Sequence, residues 1–213
     1  MNTKTFLDVW TRGRLCLHPT DTLPGLSFHP DSVEGKEALL RFKERDQLKP
    51  FIGLVSDPDQ AQLWWQPLSE REKLFLTLLW PDSVSVVRPS GKTAPASMCS
   101  PQGELALRCP KWPEHLLWMK DVLRESSIPF PTTSINKSGE PPATTRNEAV
   151  EMLKGQNVFI PDYMEPSQAV KGLPSTVIRI HASGASPGIL REGAVSSEHI
   201  LKLWHQSQSK IGK

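Results

Sequence analysis

The sequence predicts an α/β protein, a single domain built on a mixed β-sheet. Three observations point there. Short apolar runs of strand length alternate with amphipathic stretches along the chain. The opening strand, helix and strand fall within about 40 residues, the sequence form of an α/β unit. No linker-like stretch divides the 213 residues, a length near the upper end of the ~100–200 typical of one domain.

Taken in order, residues 5–12 read as a short helix with Phe6, Val9 and Trp10 on one face. Residues 14–18 read as a buried strand, closed by Pro19. Asp31 or Ser32 caps a helix over 32–44, whose apolar side carries Val33, Ala38, Leu39 and Phe42. After Pro50, residues 51–55 form a second continuous apolar strand. A helix over 69–79 opens with a capping box, Ser69 with Glu72, and closes at Trp80-Pro81. Strands at 84–87 and 104–108 are joined by a loop rich in Pro, Gly and Ser. A helix over 115–125 is followed by 128–130, which leads into a polar loop at 132–145. Thr145 or Asn147 caps a helix running to Lys154, and 157–160 is a strand. Residues 175–180 and 188–191 form a closing hairpin or strand pair, and a last helix begins near Ser196 or Ser197.

Hydrophobic residues make up 38% and charged residues 23%, the balance of an ordinary soluble globular protein. Cys16, Cys99 and Cys109 are odd in number and in no paired spacing, which predicts reduced thiols, not a disulfide framework. No apolar run approaches the ~20 residues of a membrane helix. The first ten residues carry Asp8 and lack the apolar core of a secretory signal. A cytoplasmic protein without a membrane partner is therefore expected. A net charge of +2 and a pI near 8.4 exclude coating of nucleic acid by bulk charge, so basic residues matter locally. The 20 prolines, about twice the ~5% average, are spread along the chain and punctuate its elements.

Polar segments at strand and helix ends are the candidates for chemistry, because α/β proteins place ligands there. Pro19-Thr20-Asp21-Thr22 with Gly25 follows a buried strand; it suits an amino-acid ligand or an ordinary Asx or Ser/Thr turn. Lys43-Glu44-Arg45 with Lys49-Pro50 suits a polyphosphate, through forked and point-charge donors. Those cations equally complement a helix C-terminus. The run from Thr132 to Gly139 is dense in hydroxyl and amide side chains and suits an anion or a solvated loop. Ser175-Thr176 and Arg191-Glu192-Gly193 add hydroxyls and one guanidinium.

Other patterns carry less. Ser90-Gly91-Lys92-Thr93 imitates the end of a P-loop, but Val86 stands where the motif needs Gly. The six histidines show no metal spacing, and no Gly-x-Ser-x-Gly elbow or Cys/His nucleophile motif is present. Trp64 and Trp65 read as core or groove residues.

In their order along the chain, these segments resemble the YrdC-like family of threonylcarbamoyl-AMP synthases. The resemblance rests on Pro-Thr-Asp-Thr at 19–22, Lys-x-Arg to Lys-Pro at 43–50, and Trp-Pro at 80–81. It continues with Arg-x-Pro at 108–110, Ser-x-Asn-x-Ser-Gly at 134–139, Ser-Thr-Val at 175–177 and Leu-Arg-x-Gly at 190–193. It covers residues 14–195 of a domain taken as 1–213. Each motif is weak alone, and the ordered series is specific.

The resemblance implies a twisted, YrdC/RibB-like α/β fold with a basic concave cleft. It implies ATP, L-threonine and bicarbonate as substrates, with Mg²⁺ accompanying the nucleotide and no protein metal site. Lys43 and Arg45 would be catalytic and, with Arg191, would neutralise phosphates; Ser134, Asn136 and Ser138 would hold the nucleotide. Thr22, Arg108 and Ser175 would bind threonine. The product would serve tRNA threonylcarbamoyladenosine formation, which makes tRNA and other proteins of that pathway candidate partners. The chain departs from the family at Leu23-Pro24, where an aromatic usually precedes Gly25, at Asp82-Ser83 after Trp80-Pro81, and at Ile135 in place of Ala. Two alternatives stay open: an inactive paralogue that binds double-stranded RNA or tRNA through the basic face, and a carbamoyl-transfer enzyme with another acceptor. The lack of zinc-finger cysteines and of extra domains speaks against the latter.

Overall fold

A computed structural model describes residues 2–44, 51–162, 173–181 and 184–211. The helices are α1 (Thr3–Thr11), α2 (Val33–Lys43), α3 (Pro58–Gln62), α4 (Glu70–Leu79), α5 (Leu117–Glu125), α6 (Arg146–Met152) and α7 (Ser197–Ile211). The strands are β1 (Leu15–His18), β2 (Gly25–Ser27), β3 (Ile52–Leu54), β4 (Val84–Pro89), β5 (Glu104–Arg108), β6 (Phe130–Ser134), β7 (Val158–Phe159), β8 (Thr176–Arg179) and β9 (Gly188–Arg191). These form one mixed sheet in the order β7-β1-β2-β6-β3-β5-β4-β8-β9. The β7/β1, β3/β5 and β4/β8 pairs are parallel, and the others antiparallel. A single α/β domain with a mixed sheet flanked by helices is thus what the chain forms.

Local sequence explains the helix starts. Ser32 accepts a bond from Gly35 N, and Thr145 from Glu148 N, resolving both capping alternatives. The capping box of Ser69 and Glu72 is present, and Thr145 with Glu148 makes a second. Helix α2 stops at Glu44, which takes a left-handed conformation (φ 49°) while its N–H bonds to Leu40 and Arg41 carbonyls.

The sequence reading misses three elements: β2, β6 and α3. Strand β2 is only Gly-Leu-Ser after a proline, too short for a period. Strand β6 carries Pro131, Thr132, Thr133 and Ser134, which read as loop. It is flanked by β2 only from Thr133 on, so Pro131 meets a ladder on one edge, where proline is tolerated. Because β2 and β6 lie between β1 and β3, the opening strand, helix and strand do not make a βαβ unit; chain direction alternates through β1, β2, β6 and β3.

Among the described residues, three apolar clusters clamp the sheet. On one face, Cys16, Leu54 and Phe130 pack under Phe6 and Trp10 of α1 and Met119, Val122 and Leu123 of α5. On the other, Leu15, Leu17 and Leu26 pack under Leu39 of α2 and Ala149 of α6. The alternation of Leu15, Cys16 and Leu17 between the clusters is the strand period of two. Val84, Val86, Leu105, Leu107 and Ile178 meet Phe75 of α4 and Trp204 of α7, with Trp64 and Trp65 in the same core. The intervening Ser85 and Arg108 therefore belong to the opposite side of β4 and β5, where the cavity lies. Cys16 and Cys109 are buried free thiols, each pushed to about 12 by burial, and so are inert.

Candidate functional site

A cavity of about 430 Å³ opens where the 20–25 loop, β3, β6 and the ends of β5 and β9 meet. Thr22, Arg108, Ser134, Ser175 and Arg191, all singled out in the sequence, line it together with Thr20, Pro24 and Thr132.

Its amino-terminal wall is a closed hydrogen-bond network. Thr20 Oγ1 accepts from Thr22 N (3.0 Å) and Leu23 N (3.1 Å) and donates to Leu23 O (2.7 Å), the pattern of a Thr turn. Arg108 Nη1 donates to Thr22 Oγ1 at 2.9 Å, and its Nη2 forms an ion pair with Asp21 Oδ1. Asp21 Oδ2 accepts from Ser83 Oγ and Lys111 N, both at 3.1 Å. Asp21 sits in the Thr-Asp-Thr motif, yet a tetrapeptide carries no sign of a partner 87 residues away. Burial pulls Arg108 below the usual guanidinium range, and Asp21 opposes that pull.

Across the cavity, Arg191 Nη2 donates to Ser175 O at 2.7 Å, and Ser175 Oγ lies 3.0 Å from Ser85 Oγ. Arg191 is also lowered, first by burial and then by repulsion from Arg108. Two guanidiniums facing one cavity raise the potential there, and an anion relieves their repulsion.

Lys43 does not line the cavity. Its buried ammonium donates to Ser134 O (2.6 Å), Asn136 O (3.0 Å) and Asn136 Oδ1 (2.9 Å). Ser138 N returns a bond to Lys43 O at 2.7 Å, and Lys137 pairs with Glu44 at 2.6 Å on the surface. Asn136 accepts from Ser134 Oγ (2.7 Å) and donates to Lys137 O and Glu140 O (2.8 Å each), which shapes the loop from within. Asn136 and the exposed Ser138 lie outside the cavity lining. Arg45 and Lys49 fall outside the described residues.

Among the described residues, no three or more His, Cys, Asp or Glu side chains are grouped to hold a metal, and no helix is long and apolar enough to cross a membrane. The Ser90–Thr93 segment is a turn tied to the tryptophan loop, with Gly91 N bonded to Trp64 O at 2.7 Å.

The chain has relatives among known proteins. A threonylcarbamoyl-AMP synthase of Pseudoalteromonas atlantica is 28% identical over 160 residues, 73% of this chain and 82% of that protein. The fold is similar to P. abyssi Sua5 complexed with L-threonine, with TM-score 0.79 and 23% identity, over 94% of this chain and 56% of that one. The chain thus spans little more than half of that Sua5. E. coli YciO is similar too, with TM-score 0.75 and 17% identity, over 91% of this chain and 90% of that one. The Sua5/YciO/YrdC family profile, described as telomere recombination, matches residues 8–193. The chain belongs to the Sua5/YciO/YrdC family.

Proposed function

We propose that this protein is a nucleotidyltransferase that forms threonylcarbamoyl-AMP and pyrophosphate from ATP, L-threonine and bicarbonate. The observation that carries the reading is the pair of guanidiniums, Arg108 and Arg191, facing one cavity walled by threonine and serine hydroxyls. Its substrates are anionic, and one of them is an amino acid.

In this reading the threonine amine condenses with bicarbonate, water leaving as the C–N bond forms, and a carbamate oxygen of the resulting N-carboxythreonine attacks the α-phosphorus of ATP. The new C–O–P bond forms as the bond from the α-phosphorus to the β-bridging oxygen breaks, and pyrophosphate leaves with that electron pair. No protein nucleophile takes part. The protein contributes positioning and charge stabilisation. Arg108 and Ser175 receive the carboxylate end of the amino acid, with Thr22 beside them. Arg191 and Ser134 meet the nucleotide. Lys43 holds the 134–139 loop in place through Asn136 and keeps its positive charge beneath it, and Arg45 is assigned to the phosphates. Ser138 takes part through the loop it closes.

Magnesium belongs to the polyphosphate here. Asp21, the carboxylate beside the cavity, already serves Arg108, Ser83 and Lys111, and does not fit a metal-binding role. The product is a reactive mixed anhydride whose consumer is the tRNA-modification machinery, which makes tRNA and proteins of that pathway the partners.

The test is pyrophosphate release with ATP, bicarbonate and threonine. Release that requires threonine is the expected result. Salt-sensitive RNA binding without threonine-dependent release would replace this reading with that of an RNA-binding paralogue.

A further inference from the structure

His18 is fully buried at the end of β1 and is not part of the cavity lining. Its Nδ1 lies 2.9 Å from Pro19 O. A carbonyl only accepts, so Nδ1 carries the ring proton. Burial keeps the imidazole neutral, which leaves Nε2 with a free lone pair. Thr132 Oγ1 stands 3.0 Å from Nε2 and therefore donates to it. With its one proton directed at His18, the Thr132 hydroxyl faces the cavity with lone pairs only.

Thr22 Oγ1 accepts from Arg108 Nη1 at 2.9 Å and lies 3.1 Å from Thr20 Oγ1, whose proton goes to Leu23 O and whose lone pairs take Thr22 N and Leu23 N. Gly25 makes the arrangement sterically possible. A Cβ there would lie 2.4 Å from the His18 ring and 2.6 Å from Thr132 Oγ1. Thr132 is thus an acceptor of the wall, while Arg108 and Arg191 are donors. The complementary ligand carries an N–H group and an anion together, which is the chemistry of an amino acid.

We infer that His18 is a positioning residue for the amino-acid substrate: through Thr132 it fixes a hydrogen-bond acceptor that receives the substrate nitrogen, as ammonium or carbamate N–H. This rests on the reading of the cavity as a threonine-dependent adenylate-forming site.

The test is steady-state pyrophosphate release by the wild type, His18→Phe, Thr132→Val, Thr132→Ser and the double variant His18→Phe/Thr132→Val, varying threonine and ATP in turn. Phenylalanine keeps a ring against Phe130 but has no nitrogen. His18→Phe and Thr132→Val each raise KM for threonine by roughly tenfold, the size of one lost hydrogen bond. Thr132→Ser stays near wild type, and the double variant is no worse than Thr132→Val alone. KM for ATP moves by less than about twofold throughout, whereas simple loss of folded enzyme lowers the apparent kcat and leaves KM unchanged. An unchanged threonine KM in His18→Phe, an equal rise in the ATP KM, or full additivity in the double variant overturns the inference and leaves the functional reading standing. If His18→Phe does not fold, equal threonine KM values for Thr132→Val and Thr132→Ser overturn it. A wild type without threonine-dependent release overturns the functional reading, and the inference with it.

Discussion

The two polar loops beside the cavity are organised in opposite ways. The 19–25 loop is closed upon itself and upon one ion pair: Thr20 satisfies the turn, and Asp21 and Thr22 share the guanidinium of Arg108. The 134–140 loop is gathered from behind by the end of a helix, where Lys43 reaches carbonyls and an amide across more than 90 residues of sequence. In the first loop a buried charge depends on its counter-charge. In the second, a cation substitutes for the backbone donors that a regular ladder would supply. The first is therefore vulnerable to loss of a charge, and the second to loss of an anchor.

Breaking the ion pair should have the largest effect on stability. Arg108→Met leaves Asp21, whose side chain is only 8% exposed, without its guanidinium; a cost of about 3–5 kcal/mol is expected in denaturant unfolding. Asp21→Asn in the same background should recover part of that loss, because it removes the stranded charge.

Acid comes next, again on the 19–25 side. Burial lowers His18 from 6.5 to about 4. Between those values the unfolded chain takes up a proton that the folded chain refuses. The His18 contribution is therefore complete above pH 6.5, is lost as pH falls through the window and levels off below it, an effect of about 3 kcal/mol. Unfolding free energies measured from pH 7 to 4 should show this slope, and His18→Phe should flatten it.

On the other loop, Lys43→Met removes a donor from three acceptors, and a smaller loss of about 2 kcal/mol is expected. KM for ATP should rise more than KM for threonine, since Ser134, assigned to the nucleotide, is the cavity residue whose carbonyl Lys43 holds. Equal rises would erase the contrast between the loops. Smallest in stability is Arg191→Gln, which loses the bond to Ser175 O, at about 1 kcal/mol. Pyrophosphate release should nevertheless fall roughly 10²-fold, the usual size of a lost charge-stabilising contact.

Much of this frame is legible in sequence. Ser69 and Glu72 announce a helix start, and Leu15, Leu17, Val84, Val86, Leu105 and Leu107 announce buried strands, because capping and burial are local signals. The residues that end up together in the cavity, Thr22, Arg108, Ser134, Ser175 and Arg191, were legible as motifs. What joins them was not. Strand β6 is polar and contains proline, and it is a strand because β3 already offers it an edge. Lys43 reads as a phosphate-binding cation, and only the folded chain turns its ammonium toward Ser134 and Asn136. The Asp21–Arg108 pair and the contact of His18 with Thr132 depend on pairings far apart in the chain, which no window of sequence contains.

The ring of His18 rests so closely on Gly25 that the two positions form one steric unit. A methyl group at 25 has no room unless the imidazole is replaced by something smaller and the Thr132 hydroxyl also gives way. Substitution along a lineage is thus constrained in sequence: position 18 must shrink before position 25 can grow. A chain that has made both changes has also given up the means by which this one orients Thr132.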